Sequence, residues 1–553
     1  MKEKEIYIKN KRDEEKEKER EERKKRRKLR RKQILYGRIL YVAVFVIIQI
    51  TAFVLMFLYY GDKMQYFYTI CTLISIVAGI HVINKNSNPA YKIAWLIPLL
   101  MFPIFGGLLY VMFGIRYDRH LIRGVLEKMQ EHYRKYLKGR DAQALIARCN
   151  DPSAALQSAY ISASSGFLPY TNTDVRYFAC GEDLNPTFLE LLSSAKRYIF
   201  LEYFIIEEGQ FWDNVLKILE EKVKEGVDVR VIYDDVGCML TLPRHYDREL
   251  RRRRIQVMVF NRFHRVLTAR LNNRDHRKIC VVDGTSAITG GINLADEYIN
   301  AYEKYGYWKD TAILLHGDGA WSFTIQFLSL WNVYSKRKDD FFAFTPVWEE
   351  DVFSDVGTAS AAASAVPTLC RGGIVQPYTD IPDDNELLGK TVYFNMITRA
   401  TKYVYIATPY LILDSEMMTA LQNAAKSGVD VRIITPHIPD KKTVFFLTRS
   451  YYKPLMDAGV KIYEFTPGFI HAKSMVADDR YAVVGSINLD FRSLYLHMEC
   501  AVWMYETSCI ADIKEDFLRT QEQSHRMTNA DLGKLSWGKR LWLSVLRTFS
   551  PLF

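Results

Sequence analysis

The 553-residue sequence predicts two duplicated α/β domains packed face to face, preceded by N-terminal transmembrane helices. Three observations carry this. A histidine-lysine-aspartate pattern with a downstream asparagine occurs twice at identical spacing, 195 residues apart. The phrase Gly-Val-Asp-Val-Arg also occurs twice, starting at Gly226 and Gly428, each time within a strand–helix–strand pattern. Three apolar runs fall within the first 115 residues, before either copy.

Residues 1–38 form a charged cytoplasmic tail with 18 Lys/Arg against 9 Asp/Glu, so they hold +9 of the formal charge of +11. The rest of the chain is near balance, which argues against a nucleic-acid-binding face on the body. The basic run from Arg23 to Lys32 suits anionic lipid headgroups. The membrane segments occupy 39–115, with spans expected at about 39–60, 66–83 and 93–115. The third is broken by Pro98, Pro103 and Gly106-Gly107, so it reads as a kinked span or a re-entrant segment, giving two or three spans in all. The charges point both ways on topology. The tail holds the N-terminus in the cytoplasm, whereas Arg116, Arg119 and Arg123 favour a cytoplasmic end for the third run.

A polar helical connector is expected over 116–166, a first domain over 167–347, a linker over 348–376 and a second domain over 377–526. In the first domain, strands are expected at Ala195–Leu201 and Gly226–Ile232 around a helix near Val215–Lys224. In the second, they fall at Ala400–Ile406 and Gly428–Ile434 around a helix near Met417–Lys426. The Ala/Ser stretch Thr358–Ala365 suits a flexible linker. Residues 527–553 mix Trp537, Leu541, Trp542 and Leu546 with Lys539, Arg540 and Arg547, an amphipathic segment suited to a membrane interface.

The repeated motif consists of His276, Lys278 and Asp283 with Asn293, and of His471, Lys473 and Asp478 with Asn488. Residues two apart on a strand share a face, so each His and Lys project together. Asp283-Gly284 and Asp478-Asp479 read as hairpin turns, which return the chain to each asparagine. The two aspartates then serve to hold the hairpins. Imidazole, ammonium and carboxamide converging on one spot suit a phosphate. Ser486 adds a hydroxyl where the first copy has Gly291. The eight cysteines include no Cys-x-x-Cys pair, and no His/Cys/carboxylate cluster has metal-ligand spacing, so neither metal nor other cofactor is expected.

These motifs resemble the two-HKD-motif phospholipase D superfamily and, within it, the bacterial cardiolipin synthases. Ala407-Thr408-Pro409-Tyr410, Ala458–Phe465 and Asn488-Leu489-Asp490-Phe491-Arg492-Ser493 extend the likeness from about residue 87 to the C-terminus. The resemblance implies two phospholipase D-like domains forming one active site. One histidine attacks phosphorus and the other acts as general acid and base; family analogy makes His276 the nucleophile and His471 the acid/base, which the residues alone leave open. Each imidazole needs a carboxylate partner. The likeness gives Glu499 to His471 and makes Asp310 the best candidate for His276. His497 stands where these synthases often have Asn.

The implied reaction transfers a phosphatidyl group between two phosphatidylglycerol molecules, giving cardiolipin and glycerol, in a multi-pass protein of the cell membrane. Its partners are those two lipids and the bilayer, with no nucleic acid; the sequence is silent on oligomeric state. Phospholipase D hydrolysis to phosphatidic acid uses the same residues and is the nearest rival. A nuclease would need no apolar anchor. A membrane scaffold would not need both His-Lys pairs intact.

Overall fold

The computed structural model describes residues 151–552 except 263–272, 336–337, 348–372, 383–385 and 534–535, and before that 64–85, 88–101 and a few isolated positions. The charged tail, most of the 39–60 run, the third run beyond 101, most of the connector and the Thr358–Ala365 linker lie outside the described residues.

Each Gly-Val-Asp-Val-Arg phrase enters a strand of a mixed sheet. The first sheet has seven strands in the order Thr173–Phe178, Ala312–Gly317, Ser286–Gly290, Lys278–Val282, Tyr198–Tyr203, Asp228–Asp234 and Gln256–Phe260. The second has eight, in the order Ser524–Arg526, Lys461–Phe465, Asp430–Pro436, Tyr403–Ala407, Ser474–Ala477, Tyr481–Gly485, Glu499–Tyr505 and Ile374–Asp380. Tyr198–Tyr203 runs parallel to Asp228–Asp234, and Tyr403–Ala407 parallel to Asp430–Pro436. Helices Gln210–Lys224 and Ser415–Lys426 make the crossovers, burying Trp212, Val215 and Leu219 in one and Met417, Ala420 and Leu421 in the other. The strands and helices expected around each Gly-Val-Asp-Val-Arg phrase are present, with ends shifted by a few residues.

The sheets meet where Tyr481–Gly485 lies against Ser286–Gly290 and Ala312–Gly317. One apolar core runs through the contact, joining Phe200, Ile279 and Ile313 to Tyr405, Val476 and Val484. Among the backbone links that cross it, two reach the motif histidines. Tyr307–Lys309 pairs in parallel with Gly468–Ile470, and His471 N–H donates to the Lys309 carbonyl at 2.7 Å. Asp275 bridges to Met498, whose carbonyl accepts His276 N–H at 2.9 Å. Each motif histidine is thus strung onto the other half's backbone.

Met64–Asn84 is a 21-residue helix with Tyr66, Ile70, Leu73, Ile74, Val77, Ile80 and Ile83 exposed. Pro89–Met101 follows, with Pro98 inside it. By a combined test of length and hydropathy, no helix among the described residues is long and apolar enough to cross a membrane. The start of the second helix is fastened to the second half: Asn88 Nδ2 donates to Tyr495 Oη at 2.7 Å and to Asp414 at 3.3 Å, and Tyr91 packs edge-on against Phe491 and Tyr495. Near the C-terminus, helix Trp537–Thr548 leaves Trp537, Leu541, Trp542 and Val545 exposed and rests Trp542 near Phe446.

Candidate active site

Both hairpins form as the turn residues dictate. Asp283-Gly284 and Asp478-Asp479 take positive φ values of 53°, 73°, 55° and 61°, the left-handed pair a tight hairpin requires. The aspartates do the holding. Asp283 accepts from the N–H of Lys196, Arg197 and Tyr198, each at 2.8 Å. Asp478 accepts from Thr401, Lys402 and Tyr403 at 2.7, 2.9 and 2.9 Å. Both sit at the turn, a strand's length from the histidines, and fasten it to the mouth of the neighbouring strand.

At the other end of each hairpin, His276 and His471 are each 7% exposed. Their carboxylate partners are exchanged relative to the sequence reading. His276 Nδ1 meets Glu499 at 2.9 and 3.0 Å, and His471 Nδ1 meets Asp310 at 2.7 Å. The two backbone links explain the correction. His276 is threaded beside Met498, one residue before Glu499, and His471 beside Lys309, one residue before Asp310. A partner sought within the same half is therefore the wrong one. Both carboxylates are fully buried.

Lys278 and Lys473 are each 1% exposed, and each ammonium donates to the carbonyl of its own motif's histidine. The asparagines are partly engaged. Asn293 Nδ2 donates to Tyr298 Oη at 2.8 Å and its Oδ1 accepts from Ile205 N–H, while Asn488 Nδ2 donates to Ser493 Oγ at 3.1 Å. Ser486, expected on the phosphate, instead donates to Glu499 and accepts from Cys500 N–H at 3.0 Å.

The ionisable groups behave as one buried cluster. Burial, with the charges of Lys278, His497, Lys473 and His471, holds His276 well below the ordinary imidazole value. Burial and Lys473 bring His471 down to about 4, against the pull of Asp310. Burial brings Lys278 to about 8 and Lys473 to about 7, and it pushes Glu499 up to about 8. Lys473 feels Asp310, Lys278 and Glu499, so groups from both halves share one site. Near neutrality Lys473 therefore stands at the edge of losing its proton while Lys278 keeps most of its own, and a bound anion favours the protonated lysines and imidazoles.

The sequence reading passed over the aromatic neighbours. The rings of Trp308 and His471 are 5.5 Å apart, as are those of His497 and His276, while Tyr298 and Phe204 complete the packing at 5.5 and 5.0 Å. A signal was available: Trp308 and His497 each stand two residues before the supporting carboxylate. The fold also brings together His276, His497 and Glu499, whose ligand atoms lie within 4.8 Å of one another, a grouping that linear spacing did not reveal.

The family described as cardiolipin synthase, PLD-like domain, matches residues 188–309 and 393–521, and a phospholipase D-nuclease N-terminal family matches 73–114. An uncharacterized protein of Streptococcus mutans is 43% identical over 86% of this chain and 99% of its own. Cardiolipin synthase 2 of Bacillus cereus is 32% identical, over 87% of this chain and 90% of its own. A cardiolipin synthase of a Geobacillus species is 33% identical, over 87% and 92%. Among solved structures, phosphatidylserine synthase of Haemophilus influenzae aligns with a TM-score of 0.52 at 14% identity, covering 70% of this chain and 97% of that one, a likeness of fold.

Proposed function

We propose, on the premise that this chain belongs to the cardiolipin synthase family with phospholipase D-like domains, that it joins two phosphatidylglycerol molecules into cardiolipin and releases glycerol. One observation carries the reading. Two buried imidazoles are each fixed at Nδ1 by a carboxylate from the opposite half, which leaves both Nε2 atoms for chemistry.

In the first step His276 Nε2 bonds to phosphorus as the bond to the glycerol oxygen breaks, and His471 gives that oxygen its proton. In the second, a primary hydroxyl of the other lipid passes its proton to His471 and attacks phosphorus, and the phosphorus–nitrogen bond breaks. Lys278 and Lys473 neutralise the phosphoryl oxygens. Glu499 and Asp310 offset the charge that forms on each imidazole. His471, brought down to about 4 by burial, takes up a proton from solvent as the phosphodiester binds, because the anion's charge favours the imidazolium.

Hydrolysis by the same residues, yielding phosphatidic acid, is the alternative. Incubating the purified chain with phosphatidylglycerol alone separates the two: cardiolipin with an equal amount of glycerol supports transfer, and phosphatidic acid refutes it. The exposed apolar side of Met64–Asn84, together with the apolar runs at 39–60 and 93–115, supports a multi-pass protein of the cell membrane. The exposed Trp537 and Trp542 support an interfacial role for the C-terminal helix. Residues 167–347 are taken as the first domain, and the second, expected over 377–526, takes in its edge strand from Ile374.

A further inference from the structure

His497 has no part in the mechanism above. It is 8% exposed, and neither ring nitrogen has a hydrogen-bond partner among the described residues. The Glu499 carboxyl lies 3.9 Å from its Nδ1, beyond hydrogen-bond reach. A buried polar ring left unpaired at the edge of a reaction centre points to a ligand.

Its counterpart in the other half makes the case sharper. Trp308 holds the same relation to His471 as His497 does to His276, at ring angles of 47° and 42°, and its indole N–H is likewise buried without a partner. The surroundings differ. Trp308 sits among Tyr298, Tyr305 and Phe469. His497 sits among cations: Arg492, Lys278, Arg274 and Lys441 all bear on it. Arg274 is committed to Asp234, and Lys278 belongs to the reaction centre. Arg492 is half-buried, and its carbonyl accepts the His497 N–H at 2.8 Å. Lys441 lies over the Tyr410 ring at 5.3 Å with Asp440 at 3.9 Å. Arg492 and Lys441 lie outside the reaction centre and also bear on the buried Asp490; together with Lys278 they leave a positive balance that suits an anion rather than a metal ion at His276, His497 and Glu499.

We propose that His497 and Arg492, with Lys441 at the rim, form a second anion subsite beside the reacting phosphate, and that this subsite takes the phosphate of the acceptor lipid. The proposal rests on the transfer reading. An acceptor phosphatidylglycerol carries a phosphodiester a glycerol's length from its attacking hydroxyl, whereas water and free glycerol carry none. Cationic side chains beside His497, whose ring lies 5.5 Å from that of His276, would select the lipid alcohol over both. The two halves then divide the work: the Trp308 side is mainly aromatic, its one nearby cation, Lys304, being paired with Glu297, and the His497 side is built for charge.

The test compares two acceptors with one donor, using the purified full chain in mixed micelles. Cardiolipin formation needs the phosphate-bearing acceptor, and exchange of labelled free glycerol into phosphatidylglycerol does not. Arg492→Gln is expected to lower the ratio of cardiolipin formation to glycerol exchange at least tenfold, mainly through a higher KM for the lipid acceptor. Arg492→Lys should recover part of it, and Lys441→Gln, at the rim, should lower the ratio severalfold. An unchanged ratio in both Gln variants, whether the two activities fall together or neither moves, overturns the subsite. A wild-type protein that makes phosphatidic acid and no cardiolipin overturns the transfer reading itself.

Discussion

The crosswise pairing of histidines and carboxylates makes a prediction that a within-half arrangement does not. Glu499→Gln keeps the shape and the bond from Ser486 but cannot take on the negative charge that Glu499, pushed up to about 8 by burial, acquires opposite His276 Nδ1, at 2.9 and 3.0 Å, once phosphorylation makes that imidazole cationic. A hydrogen bond to a charged group contributes about 1.5–3 kcal/mol, so phosphoenzyme formation should slow roughly 10- to 150-fold. Asp310→Asn should slow the natural reaction by a comparable factor, but through His471. The leaving group separates them. With phosphatidyl-p-nitrophenol, departure needs no proton, so Asp310→Asn should regain a fast burst of p-nitrophenol followed by slow turnover. Glu499→Gln should lack the burst, because its fault lies in the attack. Rapid-quench measurement of p-nitrophenol and of acid-labile phosphoenzyme reads both. If Glu499→Gln regains the burst and Asp310→Asn does not, His276 is the acid/base and the roles proposed here are reversed. If neither substitution matters, the carboxylates do not support the imidazoles.

Three further outcomes are expected. Lys278 and Lys473, lowered to about 8 and about 7 by burial, lose charge as pH rises through that range. Anion binding should therefore weaken with rising pH: KM should climb above about pH 8, and titration calorimetry in buffers of different ionisation enthalpy should report proton uptake at neutral pH. Asp478→Asn breaks up a cradle of three backbone bonds and should cost about 2 kcal/mol or more, seen as a lower Tm in detergent, while the protein that remains folded keeps most of its activity. Trp537→Ala combined with Trp542→Ala should reduce turnover of vesicle-borne lipid severalfold and leave short-chain micellar lipid nearly unaffected.

The parts of the site legible in the sequence are those fixed by local geometry. His276 and Lys278 share a strand face because they are two residues apart, and Asp283-Gly284 turns because those residue types accept positive φ. The duplication exposes the α/β repeat in the same way. The carboxylate partners were misread because they depend on which backbone lies beside His276 and His471, and that is set by the short parallel pair joining Tyr307–Lys309 to Gly468–Ile470 and by the Asp275–Met498 bridge. No local pattern encodes a register between segments some 160 to 220 residues apart. Ser486 was placed on the phosphate for its residue type alone; in the fold its hydroxyl is taken by Glu499. His497 looked like a departure from a pattern until its unpaired ring was seen against Trp308.

Asn88 and Tyr91 grip Tyr495 and Phe491, on the same short helix that presents Arg492. If Met64–Asn84 sits in the bilayer as proposed, this clamp ties the helix that follows it, Pro89–Met101, to the short helix just before His497, as a rigid bracket would and a slack tether would not. On that placement turnover would depend on bilayer thickness as well as on headgroup, which vesicles of one headgroup and different acyl length would show.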